Sequence, residues 1–425
     1  MIIIKIIKKN SFKLALLIGL VCFSQNINVA DIFSSENSPI IYNDINCLEF
    51  DSNNHIWVGT SQGLSIFNFE NNEWYNFDSN LSIAPWCCEN NLEIMSLEWA
   101  DEINTMFVGT NSGIISYSNS FSDITFSEEN WEINIGSECS ANNNIINTIL
   151  YDDRIWAGGT DGLCVQFFQG KEEWSLFNTQ TGFFSNNYKS IKKNNNNGLV
   201  GIGTMNGGLI TYNGEFINYY SENSGILDNS ILDLAFDLND NIIVTSPQAG
   251  LGILTNTGNW IWLNTVNSNI ISNSLKNVIV DGNNSVWITT LQDGISQYYN
   301  NNFYNYNTDN SSLTDNEINC LIVDNEENLW LGTKNSGLIR TETFYSNISE
   351  ESLDEYQINF KKNGIIISSQ GCGHLNIFDI SGKLLHNYDF LDGESEISTQ
   401  GFKPGFYLVK VIIKGSVSTK KFIKS

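Results

Sequence analysis

A strand, a tight Gly-containing turn and a second strand recur seven times in this chain, and no other feature constrains its fold as much. The motif reads "IWVGTSQGLSIF" from Ile56, "MFVGTNSGIISY" from Met106, "IWAGGTDGLCVQF" from Ile155 and "VGIGTMNGGLITY" from Val200. It continues as "IIVTSPQAGLGIL" from Ile242, "VWITTLQDGISQY" from Val286 and "LWLGTKNSGLIR" from Leu329. The hydroxyl residue ending each first strand falls at Thr60, Thr110, Thr160, Thr204, Ser246, Thr290 and Thr333, spacings of 50, 50, 44, 42, 44 and 43. A period of this length marks an array of stacked units.

Each unit predicts four strands. In the first, "NCLEF" leads through the turn "DSNNH" to "IWVGT", "SQG" turns into "LSIFNF", and "ENN" turns into "EWYNF". Alternating apolar and polar residues between turn-rich connections indicate an antiparallel meander. One such sheet cannot bury both faces, so the units stack radially, which predicts an all-β, seven-bladed β-propeller. The seventh unit lacks a convincing outer strand after "GLIR". The segment "VADIF" (Val29 to Phe33) can supply it, so Ala30 to Phe33 is expected beside the strand around Leu338, closing an otherwise open sheet edge.

At this level of detail the repeat resembles the two-component-regulator propeller repeat of sensor ectodomains. "INCLIVDNEENLWLGTKNSGLIR" (Ile318 to Arg340) follows that pattern nearly throughout, while the fourth and fifth units place Gly201 and Ile243 where a Trp belongs. The resemblance covers roughly residues 40–340 and implies a fold rather than an activity.

From Tyr356 the repeat stops, and about seven short strands between Gly, Asn and Asp turns predict a small Ig-like β-sandwich over residues 356–425. "IFDISGKLL", "KPGFYLVKV" and the closing "STKKFIKS" resemble the C-terminal sorting domain of bacterial type IX secretion. Gly382, Lys383, Pro404, Gly405, Tyr407, Lys420 and Lys421 carry that likeness. It implies export across the outer membrane, with release or attachment at the cell surface. The type IX machinery would then be a partner. The plain alternative is an accessory sandwich with a basic edge.

Residues 1–24 read as a signal peptide, with a Lys-bearing n-region and the apolar run "LALLIGLVCF", too short to span a bilayer. Cleavage is expected after Ser24, with Ala30 as the alternative and a lipid-modified Cys22 as another reading. The propeller is then expected over residues 25–345, the acidic run "SEESLDE" marking a linker over 346–355. Charge is uneven: residues 31–345 carry 8 Lys and Arg against 38 Asp and Glu, while the last 25 residues hold 6 Lys and no acid. So acidic a body repels phosphate backbones, which argues against a nucleic-acid partner. A membrane enters only through surface attachment.

Little here points to catalysis. The chain has 3 His, and only His55 lies in the propeller, in a turn, so Ser–His–acid, Cys–His and histidine-rich metal sites have no basis. Asp51, Asp237, Asp281 and Asp324 recur at one place, where an Asp caps a turn by bonding the backbone two residues on. Paired carboxylates of a glycosidase remain an alternative from another class, and calcium at "DLNDN" lacks the Gly and distal Glu of an EF-hand loop. Trp57, Trp156, Trp287 and Trp330 hold one register and read as inter-blade core rather than a sugar platform. No cofactor is implied.

The irregularities are insertions. The two long spacings hold "SNLSIAPWCCENN" and "GSECSANNN", on connections that share a face with the Gly turns. That face is the candidate binding surface, comprising Trp86, Gln62, Asn111, Asp161, Asn206, Gln248, Asp293 and Asn335. Cys139 is expected to form a disulfide with Cys87 or Cys88, while Cys47 and Cys320 occupy matching inner-strand positions and read as buried thiols. The sequence thus points to an exported, non-enzymatic binding or adhesion propeller with a glycan or protein ligand, secreted or on the outer cell surface. An accessory of the type IX secretion machinery is the alternative.

Overall fold

A computed structural model describes residues 27–78, 92–118, 131–133, 145–166 and 174–343, together with the strands between 356 and 424 and a few residues flanking them. One compact unit spans Asn26–Thr343 and another the residues from Phe344 onward.

The first unit contains seven four-stranded antiparallel sheets. In blade 1 these strands are Ile45–Phe50, Ile56–Thr60, Gly63–Asn68 and Glu73–Phe77. The second strand of every blade is buried at each position, because a neighbouring sheet covers each of its faces. Outer strands are mostly exposed or partly buried. Each blade's innermost strand touches those of the blades on either side, and blade 7 touches blade 1, so the inner strands line a closed ring. This is a seven-bladed β-propeller.

Blade 7 takes its outer strand from the opposite end of the unit. Ile27–Phe33 runs antiparallel to Leu338–Thr343, from Phe33 opposite Leu338 to Ile27 opposite Thr343, with a bulge between Val29 and Asp31. Phe33 stacks on Trp330 of blade 7 and meets Phe67 and Trp74 of blade 1, so one side chain closes the seam between those blades. Such an aromatic cluster contributes about 0.5–1.5 kcal/mol per pair beyond its area burial.

The recurring Asp and Trp belong to one device. Asp324 Oδ1 accepts the backbone N–H groups of Glu326 and Asn328, and its Oδ2 accepts the indole N–H of Trp330 at 2.9 Å. Asp51 with Trp57 and Asp281 with Trp287 repeat it at 3.0 and 2.9 Å. In blade 3 Asp152 takes the indole of Trp156 at 2.8 Å. The carboxylate therefore folds the turn and satisfies the buried indole at once. His55 is a further member, its Nδ1 lying 2.7 Å from Asp51 Oδ2.

Glycines set the distance between blades. A Cβ on Gly332 would lie 2.4 Å from Cys320 Sγ and 2.5 Å from Ile45 Cγ2 of the next blade, so only hydrogen fits there. Gly337 adopts φ 81°, where its turn tucks under the closing strand beside Phe33 O.

The second unit has two sheets. Tyr356–Lys361, Gly364–Ser369 and Gly393–Ser398 form one; Leu384–Phe390, Gly373–Asp379, Gly405–Ile413 and Ser416–Lys424 form the other. Ile365, Ile367 and Ile397 of the first sheet and Leu375, Ile377, Phe390, Val409 and Val411 of the second share one buried core, a β-sandwich.

Candidate binding face

Every blade presents a turn between its second and third strands, and in five of them a threonine hydroxyl bonds the carbonyl of the turn glycine. Thr60 Oγ1 donates to Gly63 O at 2.8 Å and accepts the Gln62 N–H at 3.2 Å. Thr110, Thr204, Thr290 and Thr333 make the same bond to the carbonyls of Gly113, Gly208, Gly294 and Gly337. The turn's backbone then bonds to the residue entering its own blade's inner strand, as in Ser61 N to Asp44 O and Lys334 N to Glu317 O. Turns and entry connections are thereby held at the same end of the blade.

With its backbone so occupied, each turn can spare a side chain. Gln62, Asn206, Gln248, Asp293 and Asn335 are exposed, whereas Asn111 and Asp161 are half-buried. Asn206 accepts a hydrogen bond from Ser230 Oγ at 3.2 Å, and Asn335 donates through its backbone N and Nδ2 to Asp315 Oδ2 at 2.9 and 3.2 Å. Trp86, Cys87, Cys88 and Cys139 lie outside the described residues. Cys164 is disulfide-bonded, its partner also lying outside them. Cys47 and Cys320 are free, and burial pushes the Cys320 thiol up to about 12.

Two features of this end escape a reading of the repeat. The first is aromatic: Phe184, 54% exposed, stacks on Tyr220 with ring centroids 5.1 Å apart. The Phe184 backbone lies beside the Gly207 turn and Tyr220 beside that of Gly208, so the pair borders Asn206 in blade 4. The doubled aromatic in "TGFFSNN" is the signal that could have found it. The second is a polar chain across blades 6, 7 and 1. Lys276 Nζ donates to Asn319 Oδ1 at 2.6 Å, Asn319 Nδ2 to Asp44 Oδ1 at 3.0 Å, and Lys334 Nζ to Asp44 Oδ2 at 2.6 Å. Burial lowers the pKa of Lys276, while the Asp44 hydrogen bond raises that of Lys334.

A buried hub ties the inner strands of blades 4 to 6. Asp233 accepts Ser190 Oγ at 2.6 Å on one oxygen, and Asn277 Nδ2 and the Val278 N–H at 3.2 and 3.0 Å on the other. In the sandwich, Gly405 and Tyr407 lie on the sixth strand and Lys420 and Lys421 on the seventh, opposite Val409 and Leu408. Tyr407 is buried and its hydroxyl donates to Lys403 O at 2.7 Å. Gly382, Lys383 and Pro404 fall outside the described residues. No helix among the described residues is long and apolar enough to cross a membrane.

Comparison with known proteins agrees with both units. The two component regulator propeller family matches residues 39–62 and 312–335, and the secretion system C-terminal sorting domain matches residues 354–425. No curated protein matches the chain. Among solved structures, the chain is similar to PorZ of Porphyromonas gingivalis, described as an essential bacterial surface component of the type-IX secretion system. Identity is 17%, the match covers 93% of this chain and 60% of that one, and the TM-score is 0.56. It is also similar to the extracellular domain of a protein from B. thetaiotaomicron described as a one component system, at 20% identity, 93% and 52% coverage and a TM-score of 0.56. The chain thus spans between half and two thirds of the length of these structures, and the likeness is one of fold. The chain carries two-component-regulator propeller repeats and a sorting domain that marks it for export to the cell surface or beyond.

Proposed function

We propose that the propeller is a non-enzymatic binding module, delivered by type IX secretion, that takes a glycan or protein ligand on the face bearing Gln62, Asn206, Gln248, Asp293 and Asn335. The observation that carries this reading is the exposed Phe184–Tyr220 stack beside Asn206. An apolar ring pair flanked by an amide and a hydroxyl suits a sugar or an extended polar chain, which offers apolar C–H faces and hydroxyls together. Asn111, Asp161 and Trp86 extend the same proposed surface.

The test is a glycan panel titrated against the purified full chain, with product formation monitored in parallel. Saturable binding without turnover, weakened about tenfold by Phe184→Ala, supports the reading. Turnover of any bound glycan would replace it with the paired-carboxylate enzyme.

A second reading rests on the sorting domain together with the PorZ-like fold: an accessory of the secretion machinery itself. It expects other exported proteins to accumulate inside the cell when this chain is deleted, which a ligand-binding cargo would not cause.

A further inference from the structure

Away from the turn face, Glu49, Glu98 and Lys192 occupy one level of the central channel. They hold equivalent registers on the inner strands of blades 1, 2 and 4, paired with Trp57, Phe107 and Gly201 in the adjoining strands. Blades 1 and 2 are neighbours in the ring, while blade 4 lies across it. The same register is apolar elsewhere, with Leu150 buried in blade 3 and Ala235, Ile279 and Ile322 partly exposed in blades 5 to 7. One level of the ring therefore has an acidic side, a cationic point opposite and an aliphatic remainder.

The charges are not spent on each other. Glu49 Oε1 accepts its neighbour's Phe50 N–H at 3.1 Å, and Glu98 Oε1 accepts the Tyr151 N–H at 3.2 Å. Among the described residues, neither carboxylate forms an ion pair with Lys192. Lys192 is exposed and the two glutamates half-buried, and all three sit on innermost strands, where the surrounding blades still shield them from bulk water.

We propose that this level binds a small zwitterion with an aliphatic body, of the α-amino acid class. Its ammonium lies against Glu49 and Glu98, its carboxylate against Lys192, and its hydrocarbon against Ala235, Ile279 and Ile322. A dication would meet Lys192 and an anion would meet two carboxylates; only a ligand carrying both signs satisfies the whole level.

The protonation pattern supports this placement. Burial pushes Glu98 up to about 8, against the pull of Lys192 and with the help of Glu49 and Glu102. Burial likewise raises Glu49, with Lys192 opposing and Asp101 adding to it. Burial draws Lys192 down, but Asp233, Glu98 and Glu49 outweigh it and hold the ammonium charged. A ligand ammonium would take the place of the Glu98 proton, so binding at neutral pH releases a proton.

Calorimetry on the full chain tests the site, with L-leucine and L-alanine as probes and N-acetyl-L-leucine and L-leucinamide as blocked controls. Expected are saturable binding of a free amino acid, a loss of about tenfold or more for each blocked form, and a heat that varies with the buffer as proton release requires. Glu98→Gln and Lys192→Met each weaken binding about tenfold, while Ile261→Ala, on the outer strand Trp260–Leu263 of blade 5, leaves it unchanged. No binding by either free amino acid up to about 10 mM, blocked forms that bind equally well, or unchanged affinity in either channel variant overturns the proposal. The blocked forms decide the matter on the unmodified chain should a variant fail to fold. Glycan binding at the turn face stands or falls separately, through Phe184→Ala.

Discussion

In blade 7 the turn carboxylate of Asp324 gathers two backbone N–H groups and an indole, whereas in blade 5 Asp237 gathers the N–H groups of Asn239 and Asn241 and the side-chain amide of Asn241. The turn is the same; the buried partner is not. Where blade 7 has Trp330, blade 5 has Ile243, which packs with Leu251, Leu275, Val278 and Ile288. Blade 5 makes up the difference in polar contacts, since its Asp233 ties together the inner strands of blades 4, 5 and 6. At Gly201 of blade 4 no side chain stands in for the Trp at all; Leu234 and Phe236 of blade 5 close over the glycine instead. A blade can thus lose its central aromatic provided the next blade leans in. Stability in this ring belongs to the interfaces rather than to single sheets.

The contrast can be broken most forcibly at Trp330. Its removal in Trp330→Ala empties a site packed by Phe33, Phe50 and Phe69 and leaves Asp324 short of a donor, so a loss of about 3–5 kcal/mol is expected in urea unfolding. Ile243→Ala is expected to lose about 2–4 kcal/mol, having no hydrogen bond to forfeit. Equal losses would show that the indole bond adds nothing. Next in size is Asp233→Ala, which strands Ser190 Oγ, Asn277 Nδ2 and the Val278 N–H and should lose about 2–3 kcal/mol by the same measurement. A loss below that of an exposed turn residue would remove the hub from the account of blade 5.

The smallest effect concerns pH. Glu98 holds its proton in the folded ring up to about 8, against an ordinary value of 4.5, so between those values the native state binds more protons than the unfolded chain. Its contribution is therefore full below about 4.5 and is lost as the pH rises through about 8. Glu98→Gln should flatten that decline and stabilise the ring at pH 8 by on the order of 1 kcal/mol, after allowance for screening by channel water. Unfolding midpoints at pH 5 and pH 8 give the answer. An unchanged slope would mean that the carboxyl is already hydrated.

What could be read from the chain beforehand follows from which chemistry repeats. Thr60 to Thr333, the turn glycines and the turn aspartates recur because each copy solves the same local problem, so blade number and turn positions are plain in the letters. The bond from Asp324 to Trp330 recurs too, at matching spacing in three blades, but its meaning needs the turn to be folded. Glu49, Glu98 and Lys192 repeat nothing. They sit in three different units among strand formers, and only the bulged register of the inner strands sets them level. Phe184 and Tyr220 meet from the two ends of blade 4, just before its inner strand and just after its outer one, a pairing that no local pattern encodes. Substitution between blades is equally opaque, since Leu234 filling the space over Gly201 is a fact about neighbours.

The seam between Ile27–Phe33 and Leu338–Thr343 sets a schedule for the growing chain. The N-terminal strand of the ring must wait, unpaired, until the seventh blade is available, and loop closure over that span is entropically slow. A chain stopped before Thr343 keeps an orphan strand at one end and a bare sheet edge at the other. Completion of the ring is therefore also a check on length, made by the backbone itself.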